Sequence, residues 1–208
     1  KKKKKENTAQ LSLDLPASTR VFAVDLDGDG LAEIVGGGLG EFWAADHQGE
    51  SVSVRWTGRG EGMLQAVTSG NFDGQWRTFA AWGRGRGALS AQIKLVEVDP
   101  LTGAQKELWR YNGPRNDVVH LSVSDTDANG ASDIAFSYFV DKYRVESRDI
   151  RASQPALHVK EPRMATSIGY GDLDGDGFAD KIVGRMYGDQ KTALGDLRVM
   201  RAGRTDVI

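Results

Sequence analysis

The sequence predicts an all-β protein, and three observations support this class. No stretch longer than a turn or two carries an apolar stripe with the 3.6-residue period of a helix, so we expect little helix. Short runs that alternate apolar and polar residues recur along the chain, as at residues 21–24 and 118–123, and turn sequences separate them. Glycine makes up 26 of the 208 residues, above a usual share of about 7%, which indicates many tight turns.

An acidic motif recurs along the chain and divides it into four units. It reads DLDGDGLAE at residues 25–33 and DLDGDGFAD at residues 172–180, with a looser copy, DTDANGASD, at residues 125–133. A decayed copy begins at Asn71 as NFDGQ. The first positions of the copies are separated by 46, 54 and 47 residues, a spacing typical of blade-like repeats of about 40–50 residues.

Strand candidates surround each copy of the motif. The first three units offer four strands each, and the fourth offers three. A further alternating strand at residues 9–15 precedes Pro16, and pairing it with the fourth unit would supply the missing strand and cover an exposed edge. The candidates lie at residues 21–24, 32–35, 41–45, 51–56, 64–68, 78–82, 93–98, 107–111, 118–123, 133–139, 143–149, 156–160, 166–170, 181–183 and 196–202.

Four strands per unit, repeated along the chain, predict a β-propeller of about four four-stranded blades, with the N-terminal strand completing the last blade. The propeller would occupy residues 9–208. Residues 1–8, which include five consecutive lysines, are expected to form a disordered tail or tag. The alternative is that the chain is a fragment of a larger propeller. The predicted repeats span approximately residues 17–56, 57–111, 112–160 and 161–208.

The repeated motif has the composition of a calcium loop. Carboxylates at positions 1, 3 and 5, in a loop that glycine allows to bend, are hard oxygen ligands that suit Ca²⁺ better than zinc or copper. An EF-hand is excluded, because position 12 holds Gly36, Phe136 or Val183 instead of glutamate and the flanks are strands. An acid at position 9 and a backbone carbonyl at position 7 would complete a nine-residue oxygen cage.

The pattern Asp-x-Asp-Gly-Asp-Gly-x-x-[Asp/Glu]-Ile-Val resembles the calcium-loop variant of the FG-GAP/VCBS repeat, found in integrin α-subunit β-propellers and related bacterial surface proteins. The resemblance covers the whole chain beyond the tail, as four repeats. It implies about three Ca²⁺ ions, each held between the first two strands of a blade, and a secreted or cell-adhesion protein. The implied ligands are Asp25, Asp27, Asp29, Leu31 and Glu33; Asp125, Asp127, Asn129, Ala131 and Asp133; and Asp172, Asp174, Asp176, Phe178 and Asp180.

The second copy departs from this pattern. It has Gln75, Arg77 and Phe79 at positions 5, 7 and 9, where the other copies have oxygen ligands. We therefore expect no metal there, and Arg77 is the candidate to take the place of the cation.

Cationic and aromatic residues are concentrated in the loops expected on the opposite rim. A surface of this composition suits an acidic protein segment or an anionic glycan. The alternative is that these residues are solvated loop charges without a ligand. The candidate ligand-binding residues are Arg59, Arg84, Arg86, Arg115, Arg144, Arg163, Arg185 and Tyr187.

Composition and charge argue against several functional classes. The chain has 27 basic and 29 acidic residues, and without Lys1–Lys5 the balance is 22 to 29, a net charge of −7. This acidity argues against nucleic-acid and membrane-surface binding. No apolar stretch approaches the roughly 20 residues of a membrane span, and the absence of cysteine excludes disulfides and thiolate metal sites. The three histidines have no metal-ligand spacing, and no catalytic motif is recognised.

We therefore predict a calcium-stabilised propeller that serves as a non-catalytic recognition, adhesion or scaffold module. Because the loops lack the bidentate glutamate of an EF-hand, we expect a modest affinity suited to millimolar calcium. This places the protein in the extracellular space, at the cell surface or in the periplasm. Two alternatives are a propeller module of a polysaccharide-acting lyase or hydrolase, and an assembly module whose blades join those of another chain in an oligomer.

Overall fold

The computed structural model describes residues 15–48, 51–83, 92–112, 118–125, 129–139, 145–149, 157–160, 165–187 and 194–200. Within these ranges it contains fourteen β-strands and no helix, which confirms the predicted all-β class. The described chain accordingly has no helix long and apolar enough to cross a membrane. The predicted tail at residues 1–8 and almost all of the predicted strand at residues 9–15 lie outside these ranges.

The first seven strands form one antiparallel sheet in which each strand pairs with its neighbours in chain order. The longest, β4, has 22 residues; its first part pairs with β3 and its last part pairs with β5. β4 therefore joins the strands that precede it, β1 to β3, to the strands that follow it, β5 to β7. The strands are β1 (Arg20–Val24), β2 (Glu33–Gly37), β3 (Leu39–Gln48), β4 (Ser51–Phe72), β5 (Gln75–Gly83), β6 (Gln92–Val98) and β7 (Gln105–Asn112).

The other seven strands form two smaller antiparallel sheets, one of four strands and one of three. In each sheet the strands again pair in chain order. The four-stranded sheet contains β8 (Val118–Ser124), β9 (Asp133–Phe139), β10 (Val145–Asp149) and β11 (Leu157–Lys160). The three-stranded sheet contains β12 (Ala165–Gly171), β13 (Asp180–Tyr187) and β14 (Leu194–Met200).

The prediction of a four-bladed propeller is wrong. The seven-stranded sheet runs in linear order from β1 to β7 and is neither closed nor curled, whereas the prediction required separate four-stranded blades. The prediction has separate strands at residues 51–56 and 64–68 and ends a repeat between them, whereas β4 runs without a break from Ser51 to Phe72. A Cβ on Gly60 would lie 2.2 Å from the indole of Trp82, so this glycine makes room for a buried side chain within a continuous strand.

Two hydrophobic clusters lie on opposite faces of β5, which is why this strand reads as a continuous apolar run. Ala80 and Trp82 belong to the first cluster, and Phe79 and Ala81 belong to the second. The first cluster also holds Leu26, which is 1% exposed and belongs to the first acidic loop. The second joins the seven-stranded sheet to the four-stranded sheet. Further members are Val35, Phe42, Trp56, Leu64 and Val96 in the first cluster, and Leu95, Leu121, Ile134, Phe136 and Tyr138 in the second.

Candidate metal centre

The first acidic loop, residues 25–33, connects β1 to β2 and is closed by the pairing of Val24 with Glu33. The carboxylate of Asp25 folds the loop around itself: its two oxygens accept hydrogen bonds from the N–H groups of Gly28, at 2.7 Å, and Gly30, at 3.0 Å. Both glycines have positive φ, 83° and 87°, a conformation that side-chain-bearing residues rarely adopt. The motif therefore specifies this loop through its position 1 acid and its two glycines.

The fourth acidic loop, residues 172–180, connects β12 to β13 and repeats this arrangement. Asp172 accepts hydrogen bonds from the N–H groups of Gly175 at 2.7 Å, Asp176 at 3.2 Å and Gly177 at 3.0 Å. Asp176 in turn accepts from the N–H of Phe178 at 2.9 Å, as Asp29 does from Leu31 in the first loop, at 2.8 Å. The two loops with the same sequence pattern thus share one hydrogen-bond scheme.

The third acidic loop, residues 125–133, connects β8 to β9, and its residues 126–128, including Asp127, lie outside the described ranges. Residues 125 and 129–133 follow the same hydrogen-bond scheme. Asp125 accepts from the N–H groups of Asn129 at 3.2 Å and Gly130 at 2.8 Å, and Asn129 accepts from Ala131 at 2.9 Å. The N–H of Ala179 donates to the carbonyl of Asp125 at 3.0 Å, so the third and fourth loops are in direct backbone contact.

The acid at position 9 is buried in all three loops. Glu33 is 5% exposed, Asp133 1% and Asp180 3%, although most other residues of these loops face solvent. Glu33 and Asp180 accept hydrogen bonds from the position 2 N–H groups, at 2.7 Å from Leu26 and 3.0 Å from Leu173. Burial raises the pKa of Glu33 above its ordinary 4.5, against the opposing effects of the Leu26 hydrogen bond and of Arg55. A buried carboxylate at this place costs free energy unless a cation or hydrogen bonds compensate it.

Two of the loops bring three carboxylates together. One oxygen from each of Asp25, Asp27 and Asp29 lies within 4.8 Å of the others, and the same holds for Asp172, Asp174 and Asp180. The sets are not equivalent, since the first omits the position 9 acid and the second includes it. The position 5 acids differ as well: Asp29 belongs to the first set and Asp176 does not belong to the second, although both accept a hydrogen bond from the position 7 N–H.

The side chains of these two sets suit a hard cation. They offer only carboxylate oxygens, which are the ligands that calcium takes, whereas softer metals prefer thiolate or imidazole ligands. The position 7 residues Leu31, Ala131 and Phe178 donate their N–H groups to position 5. Their predicted role as carbonyl ligands stays a prediction, as does the ligand role of Asp127.

The second, decayed copy of the motif forms no loop of this kind. Phe72 pairs with Gln75, and the two residues between them, Asp73 and Gly74, turn the chain with φ of 53° and 75°, as in a tight two-residue hairpin. Arg77 lies beside this turn, 3.7 Å from Glu97 and with its guanidinium 5.5 Å from the centre of the Phe72 ring. Its side chain therefore contacts the neighbouring strand and the turn itself.

The hairpin of the second copy instead contacts the first loop. The indole N–H of Trp76 donates to the carbonyl of Asp25 at 2.9 Å, and the hydroxyl of Thr78 donates to the carbonyl of Leu26 at 2.9 Å. A Cβ added to Gly28 would lie 2.8 Å from the Trp76 ring, so the indole rests directly on the loop. The motif itself gives no signal of this contact, because it joins residues 51 positions apart.

Besides Trp76, the sequence analysis did not identify Arg55 on β4 as a residue that contacts the first loop. Its guanidinium contacts Asp27 at 2.8 Å, Glu33 at 3.2 Å and Asp46 at 2.6 Å. The first two are predicted metal ligands. Arginine is common on the solvent-facing side of a strand, so the sequence around Arg55 gives no signal of these contacts. They become apparent only when β3 and β4 are paired.

The predicted ligand-binding surface is described only in small part. Arg59 is exposed on β4, next to a pocket of about 270 Å³ that is also lined by Pro16, Glu41 and Trp43. The backbones of two further candidates lie on β13, and the other five candidates lie outside the described ranges. This surface therefore stays a prediction. The two on β13 are Arg185 and Tyr187, and the five are Arg84, Arg86, Arg115, Arg144 and Arg163.

Comparison with known proteins adds no family to this picture. No protein-family model matches the chain, and no curated protein matches it significantly. The resemblance to the FG-GAP/VCBS repeat stays a prediction from the motif.

Proposed function

We propose that the acidic loops bind Ca²⁺ and that the metal stabilises an all-β module with a recognition or scaffold role. The observation that carries this proposal is the fourth loop, where oxygens of Asp172, Asp174 and Asp180 lie within 4.8 Å of one another. Asp180 is 3% exposed, so the set is anchored on a carboxylate that the fold has removed from water. A cation at this place would offset the free-energy cost of that burial.

Two of the loops supply the carboxylate sets that would hold the metal. In the fourth loop they are Asp172, Asp174 and Asp180, and in the first loop they are Asp25, Asp27 and Asp29. Calcium would supply positive charge that offsets the mutual repulsion of these carboxylates and the desolvation of the buried one. The backbone N–H groups that hold the position 1 acid fix the loop in its bent form, so the chain itself orders the oxygens.

Thermal unfolding tests the proposal. A ligand that binds only the folded state stabilises it by about 2.7 kcal/mol at a concentration one hundred times its Kd, so millimolar calcium is expected to raise the melting temperature over protein in EDTA. In Asp180→Asn the part of this rise that belongs to the fourth loop should disappear. Magnesium at equal concentration is expected to act less, because it demands a tighter octahedral shell and gives up its waters reluctantly.

Asp99→Asn is the matched control. Asp99 is an exposed turn acid whose carboxylate accepts hydrogen bonds from the N–H groups of Leu101 and Thr102, both at 2.9 Å, but it belongs to neither carboxylate set. Its variant should keep the full calcium-dependent rise, whatever its melting temperature in EDTA. An unchanged melting temperature of the natural chain in calcium, or an equal rise in Asp180→Asn, would contradict the metal assignment.

The recognition role rests on the sequence, which combines an acidic chain without catalytic motifs and a set of arginines with aromatic neighbours. An anionic partner, protein or glycan, is the class that such a set would bind. Retention of the protein on immobilised heparin and on immobilised polyglutamate measures this role directly. A location outside the cytosol follows if the calcium affinity proves to be in the millimolar range.

A further inference from the structure

Arg55 distributes its guanidinium over three carboxylates. Nε donates to Asp46 at 2.6 Å, one terminal nitrogen donates to Asp27 at 2.8 Å, and the other donates to Glu33 at 3.2 Å. Each nitrogen thus has its own acceptor, and the acceptors come from β3, the first loop and the start of β2. The Arg55 side chain is only 18% exposed. Solvent and salt therefore screen these ion pairs less than they screen pairs on the open surface.

In this arrangement both carboxylate oxygens of the position 9 acid of the first loop accept a hydrogen bond. One oxygen of Glu33 accepts from the N–H of Leu26 at 2.7 Å, and the other accepts from Arg55. Glu33 is correspondingly absent from the set of three carboxylates in this loop. In the fourth loop the equivalent acid, Asp180, has the same backbone hydrogen bond, from Leu173, and is a member of the set.

We propose that Arg55 is an internal cation of the first loop that competes with calcium for Asp27 and Glu33. This inference rests on the proposed calcium function. The guanidinium neutralises the two acids while the loop holds no metal. A divalent ion at the same acids has to displace the guanidinium or remain beside it, and both lower the affinity, the first through lost hydrogen bonds and the second through repulsion.

Two consequences follow for calcium binding. The affinity of the first loop should depend on the charge at position 55, and the affinity of the fourth loop should not. Removal of the arginine charge should tighten the first loop by about tenfold or more, because a unit charge within hydrogen-bond distance of the ligands repels a divalent ion.

The experiment uses the ¹⁵N-labelled protein and calcium titration followed by NMR. The indole N–H of Trp76, which donates to the carbonyl of Asp25, reports on the first loop. The amide of Gly177, which donates to Asp172, reports on the fourth. Arg55→Met removes the charge and keeps an apolar stem of similar reach, and Arg55→Lys keeps the charge but lacks the three-way fork.

The expected result is a Trp76 midpoint that depends on residue 55 and a Gly177 midpoint that does not. In Arg55→Met the Trp76 midpoint should fall by about tenfold or more, while the Gly177 midpoint stays where it was. In Arg55→Lys the Trp76 midpoint should stay close to that of the natural chain. If Arg55→Met does not fold, Arg55→Gln, which also removes the charge, should lower the Trp76 midpoint in the same way.

A Trp76 midpoint that is unchanged or higher in Arg55→Met, or in Arg55→Gln, would overturn the proposal and assign Arg55 a purely structural role. These outcomes leave the calcium function standing, since Gly177 would still respond. A chain in which neither resonance responds to calcium rejects the calcium function itself, and the inference with it.

Discussion

We expect His120 to make the stability of the fold depend on pH. It lies on β8, its ring is 5.5 Å from that of Tyr170 on β12, and its Nε2 has no hydrogen-bond partner in the described part of the chain. Burial lowers the pKa of His120 from 6.5 to about 4. Because the unfolded chain binds the proton more readily than the folded one, stability is lost as the pH falls from about 6.5 towards about 4.

The size of the effect follows from the two pKa values. Between pH 7 and pH 5 the free energy of unfolding should fall by about 2 kcal/mol through this group alone, and the full difference below pH 4 is about 3 kcal/mol. Most carboxylates are still ionised at pH 5, so this window separates the histidine from general acid denaturation. In EDTA the measurement is also free of any contribution from metal.

Urea denaturation at the two pH values checks this expectation. His120→Leu should lose about 2 kcal/mol less than the natural chain between pH 7 and pH 5. The matched control is His47→Gln, since His47 is an exposed histidine on β3 and its variant should keep the pH dependence of the natural chain. If His120→Leu loses as much stability as the natural chain over this interval, the burial argument is refuted.

Two further predictions concern packing and recognition. Gly36→Ala should destabilise the fold by about 1–3 kcal/mol or more, because the new Cβ would lie 2.0 Å from the buried ring of Trp43, whereas a Cβ at Gly38 has no neighbour closer than 3.7 Å, so Gly38→Ala should unfold in urea nearly as the natural chain does. Arg59→Glu should reduce retention on heparin at physiological salt, and Lys106→Glu, a charge reversal at an exposed residue of β7 outside the predicted set, should not; equal retention of both variants would count against the ligand-binding surface.

The elements that the sequence predicts well are those whose cause is local. The predicted strand at residues 133–139 coincides with β9, and the predicted strand at residues 118–123 differs from β8 by one residue. The acidic loops lie between the strands that the motif predicts, because aspartate and glycine specify such turns through their own hydrogen bonds and positive φ. The burial of the position 9 acid follows from its place at the start of a core strand.

The features that the sequence does not predict depend on residues far apart in the chain. Gly60 reads as a strand breaker because glycine has no side chain, yet that absence is what the indole of Trp82 requires. Gly60 lies within the continuous strand β4, where the sequence analysis placed a boundary between two strands. In the same way, neither Arg55 nor Trp76 carries a local signal of the first loop, and both contact it only once the sheet has formed.

The pairing of strands in chain order has a consequence for how the protein is made. In the described chain, each of the strands β2 to β7 pairs with the strand synthesised just before it, so each pairing closes a loop of modest length and low entropic cost. Such a sheet has a low contact order for an all-β structure, and it can grow from its N-terminal end while the rest of the chain is still being translated. The last strand added always leaves an unpaired edge, and each new strand covers the edge of the one before it.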